Sequence, residues 1–244
     1  MNVKRDGHQF LKISLMASAI GCLTIIHLRA DPTPIINPSF EVPVLADGAF
    51  TLDPTPVPGW SNVGGGARGV HNPAATVFPN GGLDGENYLY TTPINDPTGS
   101  GVRQSVGPLD ASSRYTLTVR VGERNDYLSA SLPPPTNIVL RLYYSTDVGT
   151  TGNVFPTPVT QSSPALVQGA FVTWSRAYEI PANGIVDGTN VFGKNVIIEI
   201  FSQGNGNWRG AFDLVALDFV PEPTSGVLLS LAGLGAWLLR RRRS

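Results

Sequence analysis

Between Tyr115 and Val121, the apolar residues Tyr115, Leu117, Val119 and Val121 alternate with Thr116, Thr118 and Arg120. Ile138, Leu140, Leu142 and Tyr144 alternate in the same way with Val139, Arg141 and Tyr143. A period of two sends successive side chains to opposite faces, the pattern of a half-buried strand. Further strands are expected over 86–91, 102–106, 171–180, 196–201 and 208–219. Turn residues bound them: Gly81-Gly82, Asp84-Gly85, Pro133-Pro134-Pro135, Asn183-Gly184 and the run Gly204-Asn205-Gly206-Asn207. No stretch carries the 3.6-residue period of an amphipathic helix. Many short strands with glycine- and proline-rich turns predict an all-β, antiparallel β-sandwich of jelly-roll type. Residues 146–169, rich in Thr, Ser, Pro and Gly, read as a long surface loop or an irregular edge.

The two ends of the chain break this pattern. Lys4, Arg5 and Lys12 precede an apolar run from Ile13 to Ile26, which ends near Ala30 before Asp31-Pro32-Thr33-Pro34. A basic start, a short apolar stretch and a small residue describe a cleavable signal helix, so residues 1–30 are expected to be a signal peptide. At the other end, Gly226 to Leu239 is apolar and Arg240, Arg241, Arg242 and Arg243 follow it. Under the positive-inside rule the arginine cluster stays cytoplasmic, which places the domain of residues 31–220 outside. Residues 221–244 form the tail, with a short apolar helix.

Charge changes the picture once the ends are set aside. The whole chain carries a formal net charge of −1, but residues 31–220 hold nine Lys and Arg against sixteen Asp and Glu. An acidic domain with Lys194 as its single lysine is a poor match for a phosphate backbone, so nucleic acid is excluded as a partner. Cys22 departs with the signal and no other cysteine exists, so no disulfide framework can form.

The tail combines Pro221-Glu222-Pro223, an apolar helix and a terminal arginine cluster, in that order at the extreme C-terminus. This arrangement resembles the PEP-CTERM sorting domain of bacterial envelope proteins. The resemblance implies recognition and cleavage near Pro221, Glu222 and Pro223 by an exosortase-type membrane protease. It also implies transient anchoring in the inner membrane and final residence at the cell surface or outside the cell.

The central domain opens with Asn37-Pro38-Ser39-Phe40-Glu41, reaches Pro58-Gly59-Trp60, passes Gln104-Ser105-Val106 and Tyr115-Thr116-Leu117, and closes with Phe212-Asp213-Leu214-Val215. These landmarks are similar to those of galactose-binding-like jelly rolls, including several carbohydrate-binding module families, although Leu214 stands where those families often carry Asn or Asp. The resemblance makes Trp60 a structural anchor. It implies a structural calcium ion held by Glu41 and Asp213, a role that carboxylate oxygens suit.

A polysaccharide ligand would stack on flat aromatic side chains with polar neighbours to take its hydroxyls. Tyr143 and Trp208 are the leading candidates, with Trp174 and Arg141. Arg141 and Tyr143 share the face of their strand opposite the one expected to be core. Catalysis has little visible support. His71 is the domain's one histidine, and acid pairs such as Asp84 with Glu86 or Glu123 with Asp126 read more simply as a turn and a solvated loop. The expectation is therefore a non-catalytic, exported, envelope- or matrix-associated protein, with carbohydrate binding as its activity. A structural or adhesive biofilm-matrix component without specific ligand is the alternative, and a small glycoside hydrolase stands behind both.

Overall fold

The computed structural model describes residues 34–51, 55–92, 99–109, 113–126, 138–145, 159–160, 165–186, 188–203 and 210–221. The expected signal peptide and the tail from Glu222 to Ser244, where a short apolar helix is expected, lie outside these residues. Among the described residues no helix is long and apolar enough to cross a membrane.

The elements in chain order are β1 (Ser61–Val63), β2 (Ala67–His71), β3 (Tyr88–Thr92), β4 (Ser100–Pro108), β5 (Ser113–Glu123) and β6 (Ile138–Ser145). They continue with β7 (Val159–Thr160), β8 (Ala170–Ile180), β9 (Ile185–Val186), β10 (Thr189–Asn190), β11 (Asn195–Ser202) and β12 (Gly210–Pro221). One five-stranded sheet has the order β1-β4-β11-β6-β7 and the other β2-β3-β12-β5-β8, while β9 and β10 make a separate two-stranded ribbon. Every pair of named strands is antiparallel. Long strands adjacent in sequence alternate between the sheets: β4 and β6 lie in the first, β5 and β8 in the second. The chain thus crosses repeatedly from one layer to the other and leaves the apolar faces meeting in the middle, as the alternation requires.

That interior contains Tyr115, Leu117, Val119 and Val121 of β5, Ile138, Leu140, Leu142 and Tyr144 of β6, and Val196, Ile198 and Ile200 of β11. The strand faces read from the sequence are therefore the ones that pack. A buried bond of 2.6 Å between Thr91 Oγ1 on β3 and Ser202 Oγ on β11 ties the two layers together.

β12 departs from simple alternation. Its pairing with β5 shifts between Asp213 and Ala216, and Leu214 sits at φ 42°. The extra residue switches the parity of the strand, so that Phe212 before it and Val215, Leu217 and Phe219 after it all reach the same core. Within the expected loop of 146–169, β7 pairs with β6 at Val139–Thr160 and Leu140–Val159, adding an edge strand where few strand signals exist.

The sequence landmarks converge near the chain's first described segment. Gln104 Nε2 donates to the carbonyls of Ile36 (3.0 Å) and Gly59 (2.7 Å), and Gln104 Oε1 accepts from Ile36 N at 2.7 Å. Trp60 is buried against Phe40, with ring centroids 5.5 Å apart, and donates its indole N–H to the Asn37 carbonyl.

Candidate functional site

Each strand of the first sheet has a second face, turned away from the sandwich interior. On β4 it carries Arg103, on β11 Ile197, Glu199 and Phe201, and on β6 Val139, Arg141 and Tyr143. The register places Glu199 directly opposite Arg103 on one side and Arg141 on the other. Tyr143 faces Ile197, and Val139 faces Phe201.

This outer face is largely withdrawn from solvent, with Glu199 and Phe201 each 5% exposed and Ile197 fully buried. A carboxylate in such a place needs partners, because an unpaired buried charge is costly. Arg141 Nη1 donates to Glu199 Oε1 at 3.1 Å, and the Tyr143 hydroxyl donates a longer bond of 3.4 Å to Glu199 Oε2. Arg103 Nη1 donates in turn to the Tyr143 hydroxyl at 3.2 Å. The Arg141 guanidinium lies over the Phe201 ring, 5.5 Å from its centroid. Burial raises the Tyr143 phenol above its ordinary value, the Arg103 hydrogen bond pulls it back, and the charge of Glu199 pushes it up again. The phenol therefore keeps its proton at neutral pH. The result is a connected polar group of two guanidinium ions, a protonated phenol and a carboxylate, set among Ile197, Phe201 and Val139. Such a group can accept a proton, donate hydrogen bonds and orient an aromatic molecule against an apolar wall.

Arg141 and Tyr143 are thus brought together as expected, but not as a sugar platform. Tyr143 is 3% exposed and its hydroxyl is engaged, so its ring offers no open face for stacking. Trp174 is corrected more sharply: it is 1% exposed in the core, on the inward side of β8 opposite Val119 of β5. A large apolar ring on an inward position contributes more by leaving water than by waiting for a ligand. Trp208 lies outside the described residues. Glu199 and Arg103 were not singled out from the sequence, although Glu199 is the one charge in the run Val196–Phe201.

The second sheet carries its own polar group at one end. Tyr88 and His71 share a 2.8 Å hydrogen bond, Arg124 donates to the Tyr88 hydroxyl at 3.0 Å, and Arg124 forms a two-pronged ion pair with Asp126. Arg124 holds the Asp126 carboxyl below its ordinary value. Phe78 and Phe171 pack beside this group with ring centroids 4.5 Å apart and planes tilted by 44°, which marks it as a packed polar seam rather than an open acid pair.

Glu41 and Asp213 both reach the segment 84–87. Glu41 Oε1 accepts from the backbone N–H groups of Glu86 and Asn87 at 3.1 and 3.0 Å. Asp213 Oδ2 accepts from Asp84 N at 2.5 Å and Oδ1 from Leu214 N at 2.7 Å. Asp213 is fully buried, and burial pushes its carboxyl up to about 7, with the charge of nearby Asp84 adding to the rise. Among the described residues no three acidic, histidine or cysteine side chains gather as a metal centre. The donor chemistry of the pair nonetheless suits calcium, since both groups are hard oxygen donors and the buried Asp213 charge would be relieved by a cation.

The family described as HpiC1-like, HpiC1 cyclase, matches residues 31–218. A Stig cyclase, FisC, from Fischerella sp. TAU, in complex with (3Z)-3-(1-methyl-2-pyrrolidinylidene)-3H-indole, has a TM-score of 0.58 and 21% identity, covering 80% of this chain and 100% of that one. A cyclase from the same organism, in complex with 4-(1H-indol-3-yl)butan-2-one, has a TM-score of 0.58 and 20% identity over the same shares. Carbohydrate-binding-module jelly rolls are also similar, at a lower TM-score of 0.44 and 17% identity over 77% of this chain and 100% of that one. No curated protein sequence matches the chain.

These findings bear out the β-sandwich and correct the functional expectation. A cyclase family spanning the central domain overturns the reading of a non-catalytic carbohydrate-binding protein, and with it the structural biofilm-matrix component and the glycoside hydrolase. The picture of a PEP-CTERM-sorted matrix protein falls for the same reason, and the match stops before Pro221. Residues 31–218 carry one family signature from the first strand-forming segment to the last, and by that signature the chain belongs to the HpiC1-like cyclase family.

Proposed function

We propose that this protein is an enzyme that closes a ring in an aromatic, indole-type substrate on the outer face of β4, β11 and β6. Glu199 serves there as proton acceptor. The observation that carries this reading is a buried carboxylate, Glu199, set among Ile197, Phe201 and Val139 and linked to Arg141 and, through Tyr143, to Arg103. Support for the substrate class comes from the Fischerella cyclase in complex with 4-(1H-indol-3-yl)butan-2-one, which shares this fold.

Ring closure by an ionic route, without a change of composition, removes a proton at one atom and returns it at another. Glu199 takes the proton and, once protonated, hands it back to the second atom, so that the composition is unchanged, while the apolar wall keeps water from competing for it. The Tyr143 phenol, protonated at neutral pH, donates a hydrogen bond where negative charge develops. Arg103 orients Tyr143, and Arg141 orients Glu199. Calcium, bound by Glu41 and Asp213 away from this face, would neutralise buried charge and supply no step of the reaction.

The test is Glu199→Gln, assayed by chromatography and mass spectrometry for an isomeric, mass-unchanged product from indoles bearing an unsaturated side chain. Turnover is expected to fall by about 10²- to 10⁴-fold, the usual worth of a positioned acid or base, with the far-ultraviolet circular dichroism unchanged. Full activity in the variant would sink the assignment.

A further inference from the structure

We propose that the end of the sandwich carrying the β9–β10 ribbon rests on a lipid bilayer, with Ile185 and Phe192 set into its surface. The strand register gathers this end. Pro221 closes β12 opposite Ser113, the first residue of β5, and Ser113 stands opposite Ile180, the last residue of β8. β9 begins at Ile185, and the ribbon is tied back by Gly184 N to the Pro181 carbonyl at 2.8 Å and by Leu109 N to the Lys194 carbonyl at 2.7 Å. Val186 and Val191 turn into the core, while Ile185 and Phe192 stay 40% and 43% exposed. Val220, also exposed, lies on β12, two strands from β8 and roughly 10 Å across the sheet. The ribbon's apolar tips are held out rather than left loose. Asn183 Oδ1 accepts from Ile185 N and Asn190 Oδ1 from Phe192 N, both at 3.0 Å. Gly184, at φ 64°, brings its turn so close to Phe192 that a Cβ there would strike the ring.

The sequence beyond Pro221 names the occupant. Glu222, Pro223, Thr224 and Ser225 are all that separate β12 from the apolar run of Gly226 to Leu239 and the four arginines after it. The five Cα steps from Pro221 to Gly226 reach at most about 18 Å. Fourteen residues, taken as a helix, reach about 21 Å against a hydrocarbon core of about 30 Å, so the linker is drawn into the headgroup layer. With the run in the bilayer, this end of the sandwich cannot stand clear of the surface. The domain of residues 31–220 is acidic, so the contact is an apolar one rather than an attraction to anionic headgroups. Exposed apolar side chains elsewhere, such as Val44 on the leading segment, have no such tether beside them.

Depth-resolved fluorescence tests this on the full-length protein. Cys22→Ser removes the one native cysteine, and Ile185→Cys or Val167→Cys then carries a single environment-sensitive label. Val167 is exposed and precedes β8, whose eleven residues put it roughly 30 Å from the ribbon end. In phosphatidylcholine vesicles containing a nitroxide-bearing lipid, the label at 185 should shift to the blue and lose emission, and the label at 167 should do neither. Added phosphatidylserine or high salt should leave that difference unchanged. Phe192→Asp on the Ile185→Cys background should raise the emission at 185 again while the protein still floats with the vesicles. Flotation without quenching at 185, equal quenching at both labels, quenching that requires phosphatidylserine, or quenching indifferent to Phe192→Asp each overturns the docking. A protein that does not float with vesicles overturns it as well. All of these outcomes leave the ring-closing reading in place.

Discussion

Asp213 should make the metal-free protein less stable as pH rises, the reverse of what a salt-bridged carboxylate does. Its carboxyl is fully buried and titrates near 7 in the folded chain, against an ordinary value of 3.8. Below about pH 4 the group is protonated in both folded and unfolded states and contributes no difference. Between about 4 and 7 the unfolded chain has lost this proton and the folded chain still holds it, so each pH unit removes ~1.4 kcal/mol of stability. Above 7 both are ionised and the penalty stays constant. The full gap of about three units amounts to ~4 kcal/mol, or a fall in melting temperature of roughly 10 °C for a domain of this size. The lowered Asp126 acts in the opposite sense, its contribution being lost only as pH drops through and below 3.8, outside this window.

The assay is thermal and urea unfolding in chelator from pH 4.5 to 8, for wild type and Asp213→Asn. The variant trades a carboxylate oxygen for an amide that cannot accept from one of the two backbone N–H groups, so its baseline is lower by ~1–3 kcal/mol, but its profile should be flat. The slope, not the height, carries the result. Added calcium should restore wild-type stability at pH 7.5 and do little at pH 5, where protonated Asp213 is a poor ligand. A flat wild-type profile in chelator, parallel to that of the variant, would refute the buried-charge argument. Calcium without effect at pH 7.5 would refute the metal.

Tyr143→Phe removes the hydroxyl between Arg103 and Glu199 while keeping the ring. It should cost ~1 kcal/mol of stability and at least about tenfold in turnover, read as kcat at saturating substrate. Gly101→Ala should destabilise by more than ~2 kcal/mol in urea melts and depress activity with it. A Cβ there meets the Ile200 carbonyl and the Phe201 backbone, forcing β4 off β11 next to Arg103. Leu214→Asn should raise the unfolding midpoint by the equivalent of ~0.5–1 kcal/mol, because the left-handed backbone at this bulge strains leucine and suits asparagine.

The sequence disclosed the fold where one face of a strand was polar and lost detail where both were apolar. On β5 and β6 the alternation was clean, and the inward residues it named are the core. On β11 the run Val196–Phe201 is apolar on both faces because both faces are covered, so the period of two falls silent and Glu199 looked incidental. Its partners lie 56 to 58 residues away on β6, and Tyr143 meets Arg103 across 40 residues. No local window can assemble such a group. Tryptophan misled for a different reason: Trp174 serves equally well as core or as ligand surface until its strand pairing is known, and pairing with β5 turns it inward. Function was less legible still, since a fold does not fix an activity and landmarks that resemble those of sugar-binding jelly rolls stand here in a chain of a cyclase family.

Gln104 gives the protein a clasp with an address. Its amide grips Ile36 on both sides of the backbone and holds Gly59 at the same time, while the next residue back along β4, Arg103, points to the opposite face and into the polar group around Glu199. The leading segment of the folded domain is therefore fastened to the very strand that steadies Tyr143. A substitution or fusion that disturbs Ile36 will be felt as a looser Arg103.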